Sequence, residues 1–122
     1  MVGHVGTDSF GTYARNVMHE AGVNCDNLAT SERATAIAVI GVDQAAENQI
    51  IVASSANLDT HPDQIATDVF GPGVTVLCQN EIRPEATFAI LERAKARGAR
   101  TILNLAPAAM LEIWLIISTF SS

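Results

Sequence analysis

Apolar residues fall along this chain in two ways: in short unbroken runs of strand length, and at helical spacing within polar stretches. Val2 and Val5 flank Gly3 and His4 in a strand-like opening, and Gly6-Thr7-Asp8 supplies a turn and a helix N-cap. From Asp8-Ser9-Phe10 to Gly22 the period becomes helical. Phe10, Tyr13, Val17, Met18 and Ala21 share one face, which is expected to be buried, and Gly22 is a natural stop. "VNCDNLAT" then reads as a short edge strand or loop. "TAIAVIGV" (35–42) and "QIIVA" (49–53) are β-branched and apolar, and the polar "DQAAEN" between them predicts a β-hairpin with a longer-than-ideal turn.

The second half repeats the alternation. His61-Pro62-Asp63 predicts a short helix toward Phe70, stopped by Gly71-Pro72-Gly73. "VTVLCQ" (74–79) is a strand. The next helix is the most clearly punctuated. Pro84 starts it, and Glu85 sits in the electropositive first turn. Lys95 and Arg97 sit in the electronegative last turn, and Gly98 ends it. Phe88, Leu91 and Ala94, with Ala89 and Ala96 nearby, form its expected buried stripe. "RTILNL" is a further strand, and "APAA" turns out of it. Near-continuous apolar strands separated by helices predict an α/β fold with a mostly parallel sheet covered on both faces. The hairpin cannot join such a sheet as a crossover unit, so it is expected to project as an arm or lid. Its residues alternate between two faces: Ala36, Ala38, Ile40 and Val42 on one, Ile37, Val39 and Gly41 on the other. Both faces are apolar.

Composition narrows the function classes. At 122 residues the chain is expected to form one domain, 1–122, and its 48% hydrophobic and 16% charged residues argue against disorder. A net charge of −6 without a basic patch argues against nucleic-acid binding. No signal peptide is evident, and the apolar run "WLIISTF" is too short to span a bilayer, so no membrane partner is expected and the cytoplasm is the expected location. The two cysteines, Cys25 and Cys78, lie outside any metal or redox spacing and are read as reduced thiols.

Few residues carry chemical signal. Gly3, Gly6 and Gly11 do not match a nucleotide-binding loop and read as turn glycines. Asp8 reads as a helix cap. His4 and His19 lack a third ligand at useful spacing, so no metal site is expected. Glu81 stands out because it follows the carboxyl end of the 74–79 strand, where open α/β sheets bind ligands, and a carboxylate there can accept hydrogen bonds from the hydroxyl groups of a polyol. The alternative is a solvated loop acid. Asn104 occupies the same end of the next strand.

Taken in series, "VGHVGTDSFG", "ATAIAVIGVDQAAENQIIVASSAN", "VLCQNEIRPEAT" and "ILNLAPA" resemble the middle of a ribokinase-like sugar kinase of the PfkB family, over residues 2 to about 109. The resemblance implies a partial three-layer fold with flanking helices and a hairpin lid over about 35–53, which in such kinases can build a dimer. It implies transfer of the ATP γ-phosphoryl group to the hydroxymethyl of ribose or a related sugar, with ATP and Mg2+ as cofactors of the full-length fold. Glu81 falls on the family's sugar-hydroxyl-binding glutamate. Ala38 and Val52 fall on lid positions that cover the sugar. Asp8 and Gly11 match a structural strand-turn-helix signature. Asn104 matches the Asn of the family's N-P-A-P turn, although Leu105 replaces its first proline.

The family's Gly-Gly sugar motif and its G-A-G-D motif, which supplies the catalytic base and anion hole, are absent from this sequence. The tail 110–122 diverges too: "LIIS" keeps an apolar strand, but Phe120-Ser121-Ser122 stands where a magnesium-organising N-x-x-E is expected. The expectation is a truncated domain, inactive as a kinase by itself, with no catalytic residue and no bound nucleotide. Sugar binding is expected to be weak or lost. Exposed strand edges and the hairpin predict a homo-oligomer. A non-catalytic sugar-binding or dimerisation module is the alternative.

Overall fold

The computed structural model describes residues 1–107. The expected apolar strand at 115–118 and the divergent tail lie outside them. Chain contacts divide into two compact units, Met1–Thr60 and His61–Ser122. Each is an α/β assembly around a two-stranded parallel ladder, and the first also carries the hairpin.

In the first unit, β1 (Val2–Val5) pairs in parallel with β2 (Asn27–Thr30), from Val2↔Asn27 to Val5↔Thr30. The Ser31 N–H donates to the Val5 carbonyl at 2.8 Å and extends the ladder by one bond. The connecting helix α1 (Ser9–Glu20) is capped by Asp8, whose Oδ1 accepts from the Gly11 N–H at 2.9 Å. The face of α1 differs from expectation. Phe10, Tyr13 and Val17 are exposed, and Tyr13 keeps 70% of its surface. The side turned inward is Gly11, Ala14, Arg15 and Met18, at i, i+3, i+4 and i+7. Its small residues permit a close approach, and Arg15 reaches across to donate to the Leu28 carbonyl (2.8 Å) on β2. The core of this unit is Val5, Leu28 and Ala56.

The hairpin forms as expected from its alternation. Strand β3 (Ile37–Val42) pairs antiparallel with β4 (Asn48–Ala53), and neither joins another ladder among the described residues. Every residue of both strands is exposed. Its bend spans 43–47 and is closed by Asp43, whose Oδ1 accepts from the Ala45 and Glu47 N–H groups while its own N–H donates to the Glu47 carbonyl. A 3-10 turn at Ser55–Asp59 follows, unforeseen by pattern because it is one short turn without helical period. Arg33 pairs with Asp59 at 3.2 Å, and the Ser31 hydroxyl donates to the same carboxylate.

In the second unit the expected helix at 61–70 is instead two 3-10 turns, Pro62–Gln64 and Thr67–Val69. Arg93 accounts for this: its guanidinium donates to the carbonyls of Pro62 and Ile65 and to Thr67 Oγ1, and lies 5.6 Å from the Phe70 ring centroid. The Ile65 carbonyl, which a helix would bond internally, is turned to the arginine, and the Pro62 carbonyl serves both the arginine and the Ile65 N–H of its own 3-10 turn. Strand β5 (Thr75–Gln79) and β6 (Arg100–Asn104) pair in parallel, joined by α2 (Pro84–Ala96). Gly98, at φ +81°, ends α2 in the left-handed conformation its position requires. The buried side of α2 is Ala86, Thr87, Ile90 and Ala94; of the expected stripe, Ala94 is fully buried while Phe88 and Leu91 are half-buried.

Candidate functional site

The parallel register brings the carboxyl ends of β5 and β6 level, with Gln79 opposite Asn104. Two loops leave from this point. The N–H of Asn80 donates to the Ala106 carbonyl at 3.1 Å, and its Nδ2 donates to the Pro107 carbonyl at 3.1 Å. Glu81 follows in a half-buried turn. Beyond Ile82, the Arg83 carbonyl accepts from the N–H groups of Ala86 (3.0 Å) and Thr87 (3.1 Å) at the start of α2. Among the described residues, the Glu81 carboxylate has no hydrogen-bond or ion-pair partner. It is therefore an acceptor with unspent capacity at the strand end where α/β sheets take ligands. Asn104 is the last residue of β6, beside the same loop pair.

In the other unit, Ala38 and Val52, 14 residues apart in sequence, are direct cross-strand partners. They share their face of the hairpin with the Ile40↔Ile50 and Val42↔Asn48 pairs. The opposite face carries Ile37↔Ala53, Val39↔Ile51 and Gly41↔Gln49. Asp8 and Gly11 lie at the turn into α1. Asp8 Oδ2 accepts from the Thr35 N–H at 2.6 Å, and Oδ1 accepts from the Thr35 hydroxyl at 2.8 Å. These bonds, with the one from Gly11, hold the Asp8 carboxyl below the usual aspartate range. Thr35 was the residue that sequence reasoning passed over: its β-branched type reads as a strand former, and its link to Asp8 spans 27 residues.

Neither of the two described helices has an N-terminus that suits a nucleotide phosphate. The first turn of α1 is occupied by the Asp8 carboxylate, and that of α2 holds Pro84 and Glu85, so an anion would meet like charge at both. Among the described residues, no three His, Cys, Asp or Glu side chains converge to hold a metal. Cys25 and Cys78 are free and half-buried, and burial pushes the Cys78 thiol up. No described helix is long and apolar enough to cross a membrane.

The chain matches the family model described as pfkB family carbohydrate kinase over residues 1–116. This chain belongs to the PfkB family. Mouse (Mus musculus) ribokinase is 33% identical over 107 residues, covering 85% of this chain and 33% of the mouse protein. The structure of ribokinase from Giardia lamblia superposes with a TM-score of 0.77 at 29% identity, over 87% of this chain and 34% of that one. Ribokinase from Cryptococcus neoformans, solved in complex with ADP, superposes at 0.74 with 25% identity, over 87% of this chain and 33% of that one. The chain thus spans about a third of the length of the PfkB relatives it matches, and its α/β elements are a partial ribokinase-like fold.

Proposed function

We propose that this chain supplies part of the sugar-binding side of an ATP-dependent kinase that phosphorylates ribose or a related sugar at its hydroxymethyl group. The observation that carries this reading is Glu81: a half-buried carboxylate without a partner among the described residues, beyond the carboxyl end of a parallel strand pair in a PfkB chain. Its role is to accept hydrogen bonds from sugar hydroxyls. Ala38 and Val52 present a small, apolar cross-strand pair suited to cover a sugar ring, and the two units are successive pieces of one ribokinase-like domain. ATP and Mg2+ belong to the full-length fold; the described residues do not fit a phosphate or a metal, and the chain alone does not transfer phosphate. Its location is the cytoplasm.

A second reading is supported by the hairpin. With Ala38 and Val52 assigned to the sugar, the face with Val39 and Ile51 is left apolar and exposed, and it is proposed to pair with a second copy of the chain. Sedimentation equilibrium tests the second reading; the experiment for the first measures D-ribose binding by NMR titration beside ATP turnover in a coupled assay. Weak saturable binding that Glu81→Gln weakens further but leaves measurable, without turnover, is the expected result. Turnover abolished by Glu81→Ala would overturn the inactivity, and binding indifferent to Glu81→Gln would overturn the role of Glu81.

A further inference from the structure

Asn80 attaches to the β6 exit turn at two points, and nothing in its sequence position announces this. Its backbone N–H and its side-chain Nδ2 donate to the consecutive carbonyls of Ala106 and Pro107, each at 3.1 Å. One hydrogen bond would hold the residue in place but leave it free to rotate. Two bonds from one residue to adjacent acceptors fix its orientation as well. Glu81 comes next, one planar peptide away. On the far side of Ile82, the Arg83 carbonyl is fixed by two N–H groups of α2. Glu81 therefore stands on a two-residue arc anchored at both ends.

We propose that Asn80 is the positioning residue for Glu81: its side-chain amide, by holding the Pro107 carbonyl, sets the direction in which the Glu81 carboxylate is presented. This rests on the reading of Glu81 as the acceptor of sugar hydroxyls. Asn80 itself does not touch the sugar. The backbone bond to Ala106 needs only the N–H at position 80, which every residue but proline carries, so a change to Leu or Asp removes one anchor point and leaves the ladder intact.

The test uses the full 122-residue chain, labelled with 15N, as wild type, Asn80→Leu, Glu81→Gln and the double variant. Leucine has about the same volume and no donor. Without sugar, the Glu81 amide order parameter is expected to fall from about 0.85 to below about 0.6 in Asn80→Leu, while the amides of β5 and α2 keep theirs. D-ribose affinity is expected to fall about 3- to 10-fold, the loss of one net hydrogen bond's worth of positioning. In the Glu81→Gln background the same change adds less than about 2-fold, because Asn80 acts through Glu81. An unchanged order parameter overturns the proposal, as does an equal loss of affinity in both backgrounds, or general melting of β5. Ribose affinity untouched by Glu81→Gln, with Glu81 still loosened by Asn80→Leu, overturns the sugar reading and sustains the positioning role. The order parameter is read in the free chain, so the loosening of Glu81 is measured whether or not ribose binds. If Asn80→Leu is insoluble, Asn80→Asp, of the same shape and unable to donate at neutral pH, is read the same way.

Discussion

Asp8 and Thr35 grip each other through two hydrogen bonds: the Thr35 N–H and hydroxyl both donate to the Asp8 carboxylate, at 2.6 and 2.8 Å. The same carboxylate caps α1 through Gly11, and the Thr35 hydroxyl oxygen accepts from the Gly6 N–H at 2.9 Å. Two residues before Ile37, the chain entering the hairpin is thus tied to the start of a helix. The Ala34 carbonyl accepts from the Ala56 N–H (3.0 Å), so the returning chain is fastened beside it.

Thr35→Val keeps the shape of the side chain and removes its hydroxyl. The part-buried Gly6 N–H loses its acceptor, which costs about 1–3 kcal/mol. Urea unfolding followed by circular dichroism is expected to show a lower midpoint at an unchanged slope.

Gly11→Ala is expected to be more severe. A Cβ at position 11 would run into the Gly6 carbonyl oxygen and lie 2.8 Å from Thr35 Oγ1, and a backbone atom cannot step aside as a side chain can. Overpacking of this kind costs about 1–3 kcal/mol or more. Gly71→Ala is the control, since a Cβ there meets nothing within 4 Å. Thermal denaturation of the two variants side by side should separate them clearly.

The pH dependence follows from the lowered Asp8 carboxyl. A group that releases its proton more readily in the folded chain stabilises that chain above its unfolded value, ordinarily 3.8. The contribution disappears as the pH falls below that value and through the lower folded one. Asp8→Asn, which has one acceptor oxygen instead of two, is expected to lower stability at neutral pH and to flatten the acid limb of a stability profile.

Arg93→Lys tests the strap over residues 62–70. An ammonium cannot serve the Pro62 and Ile65 carbonyls, the Thr67 hydroxyl and the Phe70 face from one planar fork. A loss of about 1.5–3 kcal/mol is expected, the range for charged hydrogen bonds, read as a drop in the chemical-denaturation midpoint.

The hairpin predicts self-association. Val39 and Ile51 are cross-strand partners left 57% and 65% exposed. Sedimentation equilibrium at micromolar concentration is expected to show a dimer or larger species that Val39→Thr/Ile51→Thr shifts toward monomer. A wild-type chain at monomer mass, stable to dilution, would refute the proposed pairing.

Local chemistry in the sequence determined much of this protein. Alternation of β-branched residues wrote the hairpin, Asp8 wrote the start of α1, and Pro84 and Gly98 bounded α2, because each acts on neighbours within one turn or one strand pair. The placement of Glu81 after β5 was legible for the same reason. Tertiary structure alone decided which side of α1 is buried, since a helical pattern marks an apolar face and cannot say what packs on it; the close approach of Gly11 to Thr35 and the reach of Arg15 to Leu28 turned Phe10 and Tyr13 outward. It alone replaced the helix at 61–70 with two 3-10 turns, because the competing donor, Arg93, lies 26 to 31 residues away. The grip of Thr35 on Asp8 and of Asn80 on Pro107 joins residues 27 apart in each case, and hydrogen bonds between such distant residues leave no period in a sequence to be read.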